Sequence, residues 1–488
     1  MNALATLDGW IAAQARVATA RMLRAISATD LVMERPGFGQ RVIPRPGSVL
    51  ASPVPAHYDP DPDYFFHWFR DSALVIDALR VALLARYAEP SAVRHFQEFV
   101  QFTRSLQSLD GREFLRSGDF RAKVQPALLR YVRADPEIAA LSGDAVLADV
   151  RVNADGTPDF IRWSRPQHDG PALRAMVLLR WWREFPELRL DRALMSALGD
   201  VMGTDLAFAL THVREPCGDV WEEDSGHHYY SQLVQAEALA RGAAWLEESG
   251  QAAPAQASQV AAEEALARLD AFWNEDDGFY RARTDAASTQ SRKDPDIAVI
   301  LAVLHAGRAG GRHGVLDPRT QATLTALEQH FEAQYAINRD RPPDRGPALG
   351  RYPHDEYYGG GAWFLATLAA AEFYFRLAYS LRSGAHLAVV PTNSRFRQRL
   401  AAAEAAPQSE EWARLALARG DAIMRTVRAF TPETGELSEQ FDRSTGAQTS
   451  AKQLSWSYAA FITAAASRAE ALHPTRGADR EALPAGTA

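Results

Sequence analysis

The chain has 488 residues, of which 47% are hydrophobic and 23% are charged, an ordinary balance for a soluble globular protein. Its net charge of −8 offers no basic surface for nucleic acid, and its single cysteine, Cys217, excludes an intramolecular disulfide. The sequence contains no run of 18 apolar residues, so it predicts neither a nucleic-acid partner nor a membrane partner.

The first predicted element is a helix at the N-terminus. Leu7, Ile11, Ala18 and Met22 recur there at helical spacing, with arginines between them. A signal peptide would instead show a basic segment followed by an apolar one. We therefore predict a cytoplasmic protein, with a periplasmic or secreted location only if a leader is missing from this sequence.

Helical periodicity continues along the whole chain, and few segments have the alternation of strands. The pattern predicts twelve helices, near residues 4–27, 71–87, 92–107, 171–184, 192–213, 229–247, 255–273, 295–306, 318–336, 362–382, 409–429 and 455–471.

The predicted helices alternate in character. Residues 260–273 form an amphipathic helix with one charged face, as expected at a surface. Residues 296–307, 362–375 and 456–467 are instead apolar or small nearly all round, which indicates complete burial. Six outer and six inner helices make an all-α (α/α)6 barrel, although alternation alone favours an irregular helical bundle equally. We predict one domain over residues 1–472, followed by a flexible tail over 473–488.

The junctions that lead into the inner helices carry the unusual residues. The first three and the last two of these six junctions are rich in Trp, Tyr, Arg, Asp and Glu, and in a barrel all six open at the same end. They lie at residues 64–73, 163–172, 220–230, 292–298, 351–363 and 437–443. The sequence therefore predicts one cavity lined by aromatic rings and carboxylates.

This composition is typical of a carbohydrate site, because flat rings stack on sugar faces and charged groups bind hydroxyls. Glycoside hydrolysis requires one carboxylic acid at the leaving oxygen and a second carboxylate on the other side of the sugar. Any two acidic residues fit that requirement, so the pattern alone is a weak indication. Read alone, Arg70–Asp71 is a helix cap, Glu222–Glu223 an acidic first turn, and Trp163 and Trp221 core aromatics.

Five ordered stretches between about residues 64 and 464 carry a more specific signal. They closely resemble the glucoamylases of glycoside hydrolase family 15, and they read YFFHWFRDSAL, DGTPDFIRWSRPQHDGPALRA, DVWEEDSGHHYYSQLVQAEALARG, GRYPHDEYYGGGAWFLATLAAAEFY and LSEQFDRSTGAQTSAKQLSWSYAAFITA. The resemblance implies an (α/α)6 barrel, an inverting mechanism, and release of glucose from non-reducing ends of α-glucans without cofactor or metal. No starch-binding domain follows the last stretch, which favours soluble oligosaccharides over granular starch as substrates. We also predict a monomer.

The resemblance also implies roles for individual residues. Glu222 takes the place of the general acid and Glu439 that of the general base, with their carboxyls ~6.5–9.5 Å apart in an inverting enzyme. Glu223 becomes a substrate contact beside the acid. The full set of implied substrate-binding residues is Tyr64, Trp68, Arg70, Asp71, Trp163, Arg165, Asp169, Trp221, Glu223, Arg351 and Tyr357.

The sequence also departs from the common pattern of that family. His168 stands where Arg is frequent, His354 where Glu is frequent, a Gly run at 359–361 replaces Asn-Gly, and Asp224–Ser225 replaces an apolar–Asn pair. His227 and His228 are adjacent and lack the spacing of two ligands on one helix face, so we interpret them as packing or rim residues.

These departures leave the substrate linkage open, because they lie near the outer subsites. One alternative is action on trehalose or on α-1,6-linked glucosides. A second is a sugar-binding protein without hydrolytic activity, and a third is a sugar epimerase that uses histidines. The two carboxylates and the SEQFDR stretch favour hydrolysis.

Overall fold

The structure, a computed structural model, describes residues 6–58, 60–284, 293–308, 310–400 and 408–474. Within these ranges the chain forms seventeen α-helices. They are α1 (Leu7–Arg24), α2 (Phe69–Leu84), α3 (Val93–Leu106), α4 (Gly111–Arg116), α5 (Asp135–Ala139), α6 (Asp144–Leu147), α7 (Asp169–Glu184), α8 (Arg192–His212), α9 (Tyr229–Glu248), α10 (Ala252–Arg268), α11 (Ala298–Ala306), α12 (Pro318–Gln334), α13 (Ala336–Arg339), α14 (Phe364–Arg382), α15 (Ser394–Leu400), α16 (Ser409–Phe430) and α17 (Ser455–Leu472).

Six of these helices form a closed inner ring. Helix α2 packs on α7, α7 on α9, α9 on α11, α11 on α14, α14 on α17, and α17 returns to α2. Their sequences explain the position, because α11 is buried along almost its whole length and α14 is apolar on nearly every side. The ring makes the hydrophobic core of the molecule.

The remaining long helices cover the ring from outside. Helix α1 packs on α17, α8 on α7, α10 on α9, α12 on α11 and α16 on α14, while α3 packs on α8. Helix α3 shows why such helices stay at the surface, since it buries Phe96, Phe99 and Leu106 on one face and exposes charged residues on the other. The fold is an all-α (α/α)6 barrel, as predicted.

All twelve predicted helices are present, with ends shifted by a few residues. The five short helices α4, α5, α6, α13 and α15 were not predicted, because four to seven residues are too few to show a period. The predicted boundary at residue 472 is the last residue of α17. Residues 4–5 of the first predicted helix and residues 475–488 of the predicted tail lie outside the described residues.

Short strands line the mouth of the barrel at the starts of the inner helices. They are β1 (Met33–Arg35), β2 (Gln40–Val42), β3 (His67–Trp68), β4 (Arg151–Val152), β5 (Cys217–Gly218), β6 (Ser225–Gly226), β7 (Trp273–Asn274), β8 (Phe279–Tyr280), β9 (Ala362–Trp363), β10 (Gln440–Phe441) and β11 (Gln448–Thr449). All pairs are antiparallel, and the one three-stranded sheet has the order β11-β10-β9. Strands β3, β6 and β9 lead directly into inner helices or end a few residues before them, so they fix the loops that carry the polar residues.

Helix α8 is the one described helix that is long and apolar enough to cross a membrane by length and composition. In the fold it packs between α3, α7 and α9, and half of the qualifying window is buried. Its Asp205 is buried and ion-paired with Arg174 of α7, at 2.6 Å. Helix α8 is therefore a packed outer helix of the barrel.

Candidate active site

A cavity of about 240 Å³ opens at the end of the barrel where the inner helices begin. Its walls come from the junctions that the sequence singled out, with aromatic rings beside carboxylates and arginines. The lining residues are Ala51, Tyr64, Trp68, Arg70, Asp71, Trp163, Val220, Trp221, Glu222, Glu223, Arg351, Tyr357, Trp363, Glu439, Leu454 and Trp456. Of the thirteen residues predicted for the site, Arg165 and Asp169 do not line the cavity.

Glu222 and Glu223 lie in the tight turn between β5 and β6. Glu222 has a backbone φ of 64°, in the left-handed region that non-glycine residues rarely adopt and that costs of order 1–3 kcal/mol. Its N–H donates to the carbonyl of Asp219 at 3.0 Å. This conformation turns two adjacent acidic side chains into the cavity from one short loop.

Asp219 and Lys293 hold this turn in place. The Asp219 carboxylate accepts the backbone N–H groups of Glu223 and Asp224, at 2.7 and 3.1 Å. The ammonium of Lys293 lies 2.7 Å from Asp219, 2.7 Å from Glu223 and 2.8 Å from Asp224. Burial opposes ionisation of Asp219, but Lys293 outweighs it and lowers the pKa of that carboxyl. One cation therefore balances three of the turn's carboxylates.

The carboxyl group of Glu222 is held by three donors. The indole N–H of Trp68 donates to Oε1 at 3.0 Å, Arg70 Nη2 donates to the same oxygen at 2.6 Å, and the indole N–H of Trp163 donates to Oε2. Arg70 is itself fixed by Asp169, the first residue of α7, at 2.9 Å. Asp169 therefore acts from behind the cavity wall, through Arg70.

Glu439 faces the same cavity from the segment before β10. It is 3% exposed, and its carboxylate accepts the hydroxyl of Ser450. The hydroxyl of Tyr64 hydrogen-bonds that of Tyr357 at 2.7 Å on the same wall. Burial raises the pKa of Glu439 to about 7, although the hydrogen bond from Ser450 and the charge of Arg351 act in the opposite direction. Its carboxylate is thus a stronger base than an ordinary glutamate.

Arg70 and Asp71 form the inner end of the cavity, in the first turn of α2. Both are buried, and the Arg70 guanidinium lies 5.7 Å from the ring centre of Trp456. Burial raises the pKa of Asp71 to about 7, with Glu222 adding to the rise and Arg70 opposing it. The next pocket along the inner helices, bordered by Leu74, Leu173 and Trp456, measures only about 40 Å³, so the space for a sugar ends near this turn.

Arg351 organises the opposite wall. Its guanidinium pairs with both oxygens of Asp355, at 2.6 and 2.8 Å, and with Glu223 at 2.9 Å. It also lies 5.3 Å from the ring centre of Trp221 and 5.0 Å from that of Trp363. Such stacking beside a bidentate pair is specific to arginine.

Arg165 differs from its predicted place. The sequence groups it with Asp169, but its guanidinium pairs with Asp149 and with Asp159, the latter at 3.0 Å. Asp159 also holds the fully buried Arg151, at 2.9 Å. Arg151 in turn stacks 4.0 Å from the ring centre of Trp163. Arg165 therefore supports the aromatic wall from outside, because its guanidinium is held by Asp149 and Asp159 and does not line the cavity.

A profile of the glycosyl hydrolases family 15 matches residues 151–466. The chain is also 30% identical to glucoamylase-1 of Schizophyllum commune, over 90% of this chain and 72% of the relative. The chain belongs to glycosyl hydrolase family 15.

Other relatives agree with this family membership. The intracellular sporulation-specific glucoamylase of Saccharomyces cerevisiae is 27% identical over 88% of this chain and 79% of its own. The structure of Hormoconis resinae glucoamylase matches with a TM-score of 0.78 and 25% identity, over 96% of this chain and 74% of that one. The glucoamylase of Saccharomycopsis fibuligera, at 22% identity, shares the fold with a TM-score of 0.79 over 96% of both chains. The protein is therefore a glycoside hydrolase with the barrel of that family.

Several residues around the cavity of this family 15 hydrolase were not predicted from the sequence. Trp363 and Trp456 line it from the starts of α14 and α17, and Ser450 contacts Glu439. The buried carboxylate of Asp296 accepts the indole N–H of Trp221, at 3.0 and 3.1 Å. Trp363, Trp456 and Ser450 lie within the stretches that resemble family 15. The resemblance therefore covered these residues, but no role was predicted for them.

His227 and His228 do not line the central cavity of this hydrolase. His228 is 5% exposed and borders a small separate pocket together with Asp219 and Lys293. Its backbone pairs with Arg283 in an isolated β-bridge. This placement agrees with the interpretation of His228 as a packing residue.

The Gly run after Tyr357 makes a sharp turn at the cavity mouth. Gly359 and Gly360 have φ values of 87° and 62°. A side chain at Gly360 would place its Cβ 1.9 Å from the carbonyl oxygen of Asp355. The backbone thus packs too closely there for any residue but glycine.

Proposed function

We propose that this family 15 hydrolase is an inverting, exo-acting glucoamylase, a glucan 1,4-α-glucosidase. It hydrolyses the terminal α-1,4-linked glucose from the non-reducing ends of malto-oligosaccharides or soluble α-glucans. The observation that carries the proposal is that Glu222 and Glu439 line one cavity from different junctions. The relatives reported above, which are named glucoamylases, support the same substrate class.

In the proposed reaction Glu222 donates a proton to the glycosidic oxygen as its bond to the anomeric carbon breaks. A water molecule attacks the opposite face of that carbon and gives its proton to Glu439. The α-linked sugar therefore leaves as β-glucose. Solvent exchange returns the proton from Glu439 to Glu222 before the next turnover.

The closed inner end of the cavity supports exo-action. Arg70 and Asp71 lie there with charged groups suited to the hydroxyls of a terminal glucose, and a chain cannot extend past them. Trp163, Trp221 and Trp363 offer flat apolar surfaces for the sugar faces. The name of the intracellular relative from Saccharomyces cerevisiae supports an intracellular location for this enzyme.

The substrate assignment is tested with a panel of maltotriose, maltose, isomaltose and trehalose at equal concentrations. We expect glucose release from maltotriose and maltose to exceed release from the other two. A higher kcat/KM for trehalose or isomaltose would instead assign the chain to one of those substrates. Binding of maltotriose without glucose release from any of the four sugars would instead favour a sugar-binding protein without hydrolytic activity.

The raised pKa of Glu439 predicts the acid side of the pH profile. Below about pH 7 the free enzyme holds a proton on Glu439, so kcat/KM should rise with pH through that pKa. The Ser450 hydroxyl stabilises the carboxylate form. Ser450→Ala should therefore move the acid limb of kcat/KM to higher pH.

Ser457→Ala is the matched control for this change. Its hydroxyl donates to the backbone carbonyl of Ser438, at 2.9 Å, and it is as buried as Ser450. The control should leave the acid limb where it is in the wild-type enzyme. An acid limb that stays fixed or moves to lower pH in Ser450→Ala would contradict the role of this contact.

A further inference from the structure

A cluster of metal-ligating side chains lies behind the cavity wall, away from the proposed chemistry. His168 directly precedes α7, His212 is the last residue of α8, and Glu215 follows in the next turn. One ligand atom from each of the three residues lies within 4.8 Å of the others. Two imidazoles and one carboxylate are a common donor set for zinc.

The spacing of the two rings suits a shared ion. The ring centres of His168 and His212 are 5.0 Å apart with 40° between their planes. With Zn–N bonds of ~2.0–2.1 Å and tetrahedral angles, two imidazoles on one zinc have centres roughly 5 Å apart. Nδ1 of His212 lies 2.6 Å from Glu215, so the two ligands need to separate only slightly to admit an ion.

A second carboxylate, that of Asp144, lies where it can hydrogen-bond a metal-binding histidine from outside the coordination sphere. Nε2 of His212, the nitrogen on the far side of the ring, lies 3.4 Å from Asp144. Ligating histidines commonly donate their other N–H to a carboxylate, which orients the ring. The ring of Phe208 packs against both imidazoles, with centres 4.3 Å from His212 and 5.5 Å from His168, and restricts their rotation.

The buried histidine has unused binding capacity. His168 is 2% exposed, and its Nδ1 has no hydrogen-bond partner within the described part of the chain. Glu215 is exposed, which gives an ion access from solvent.

We propose that His168, His212 and Glu215 bind one Zn²⁺ ion, with Asp144 as the outer hydrogen-bond partner of His212. Water completes the coordination. The ion takes no part in hydrolysis. It ties the start of α7, where Asp169 holds Arg70, to the segment that enters the hairpin carrying Glu222. The family pattern places Arg at the position of His168, so the site distinguishes this chain.

The test is calorimetric titration of ZnCl₂ into the full chain after chelator treatment, without substrate. We expect one Zn²⁺ per chain. His168→Gln, His212→Gln and Glu215→Gln should each weaken binding at least roughly tenfold, and Asp144→Asn by about tenfold. His386→Gln is the control, since that exposed histidine contacts Ser409 far along the chain and should leave affinity unchanged.

A spectroscopic and a thermal readout complete the test. Co²⁺ in the same site should give the visible absorption of a four-coordinate ion, which the two histidine variants lose. At a Zn²⁺ concentration near the wild-type Kd, the Tm of the wild-type protein should rise more than that of Glu215→Gln, whose exposed position makes misfolding an unsuitable explanation. Absence of binding, or binding that is unchanged in both His168→Gln and Glu215→Gln, would overturn the proposal. Glucose release is not measured, so this result is independent of the proposed glucoamylase activity.

Discussion

Replacing Glu222 by Gln is expected to reduce kcat for maltotriose by roughly 100- to 10,000-fold, because an amide cannot protonate the leaving oxygen. Its carbonyl can still accept from Trp68 or Trp163, so the cavity should keep its shape and maltotriose should still bind. The measurement is steady-state glucose release, together with binding of maltotriose to the variant.

A substrate with a good leaving group separates the loss of an acid from general damage. Fluoride leaves α-glucosyl fluoride with little need of a proton. The loss of activity in Glu222→Gln, relative to the wild-type enzyme, should therefore be far smaller on α-glucosyl fluoride than on maltotriose. Equal losses on both substrates would show that Glu222 is not the acid. Near wild-type turnover of maltotriose would remove it from the reaction entirely.

Glu439→Gln should show the complementary pattern. We expect a loss of kcat of roughly 100- to 10,000-fold, because no group then accepts the proton of the attacking water. A better leaving group does not relieve that deficit, so α-glucosyl fluoride should be affected about as strongly as maltotriose. Azide, an anion that needs no deprotonation, should restore part of the rate and yield β-glucosyl azide.

Glu436→Gln is the matched control for this variant. Glu436 lies three residues earlier in the same segment, pairs with Arg21 at 3.1 Å and does not line the cavity. Its replacement should leave kcat near the wild-type value. A rate for Glu439→Gln similar to that of Glu436→Gln would contradict the assignment of the base.

The inner and outer helices could be predicted because the distribution of apolar residues around each helix indicates how much of it is buried. The apolar run 296–307 and the amphipathic run 260–273 differ in ways that depend only on local spacing. That alternation is compatible with a closed ring or an irregular bundle, and the resemblance to family 15 favoured the ring. The short helices between α3 and α7 could not be predicted, because they have too few turns to show a period.

The details of the site depend on side-chain pairings that the residue pattern does not indicate. Lys293 balances Asp219, Glu223 and Asp224 from about 70 residues away, and no local pattern indicates that contact. Arg165 adjoins the cavity residues in sequence, but Asp149 and Asp159 turn its side chain behind Trp163. The left-handed backbone conformation of Glu222 could not be predicted either, because Glu has no preference for that conformation.

The most direct measurement is proton NMR of maltotriose during its first minutes of digestion, before mutarotation equalises the anomers. The proposed acid at Glu222 and base at Glu439 predict glucose and maltose as products, with the released glucose appearing first as the β anomer. Glucose that appears first as the α anomer would contradict the inverting mechanism.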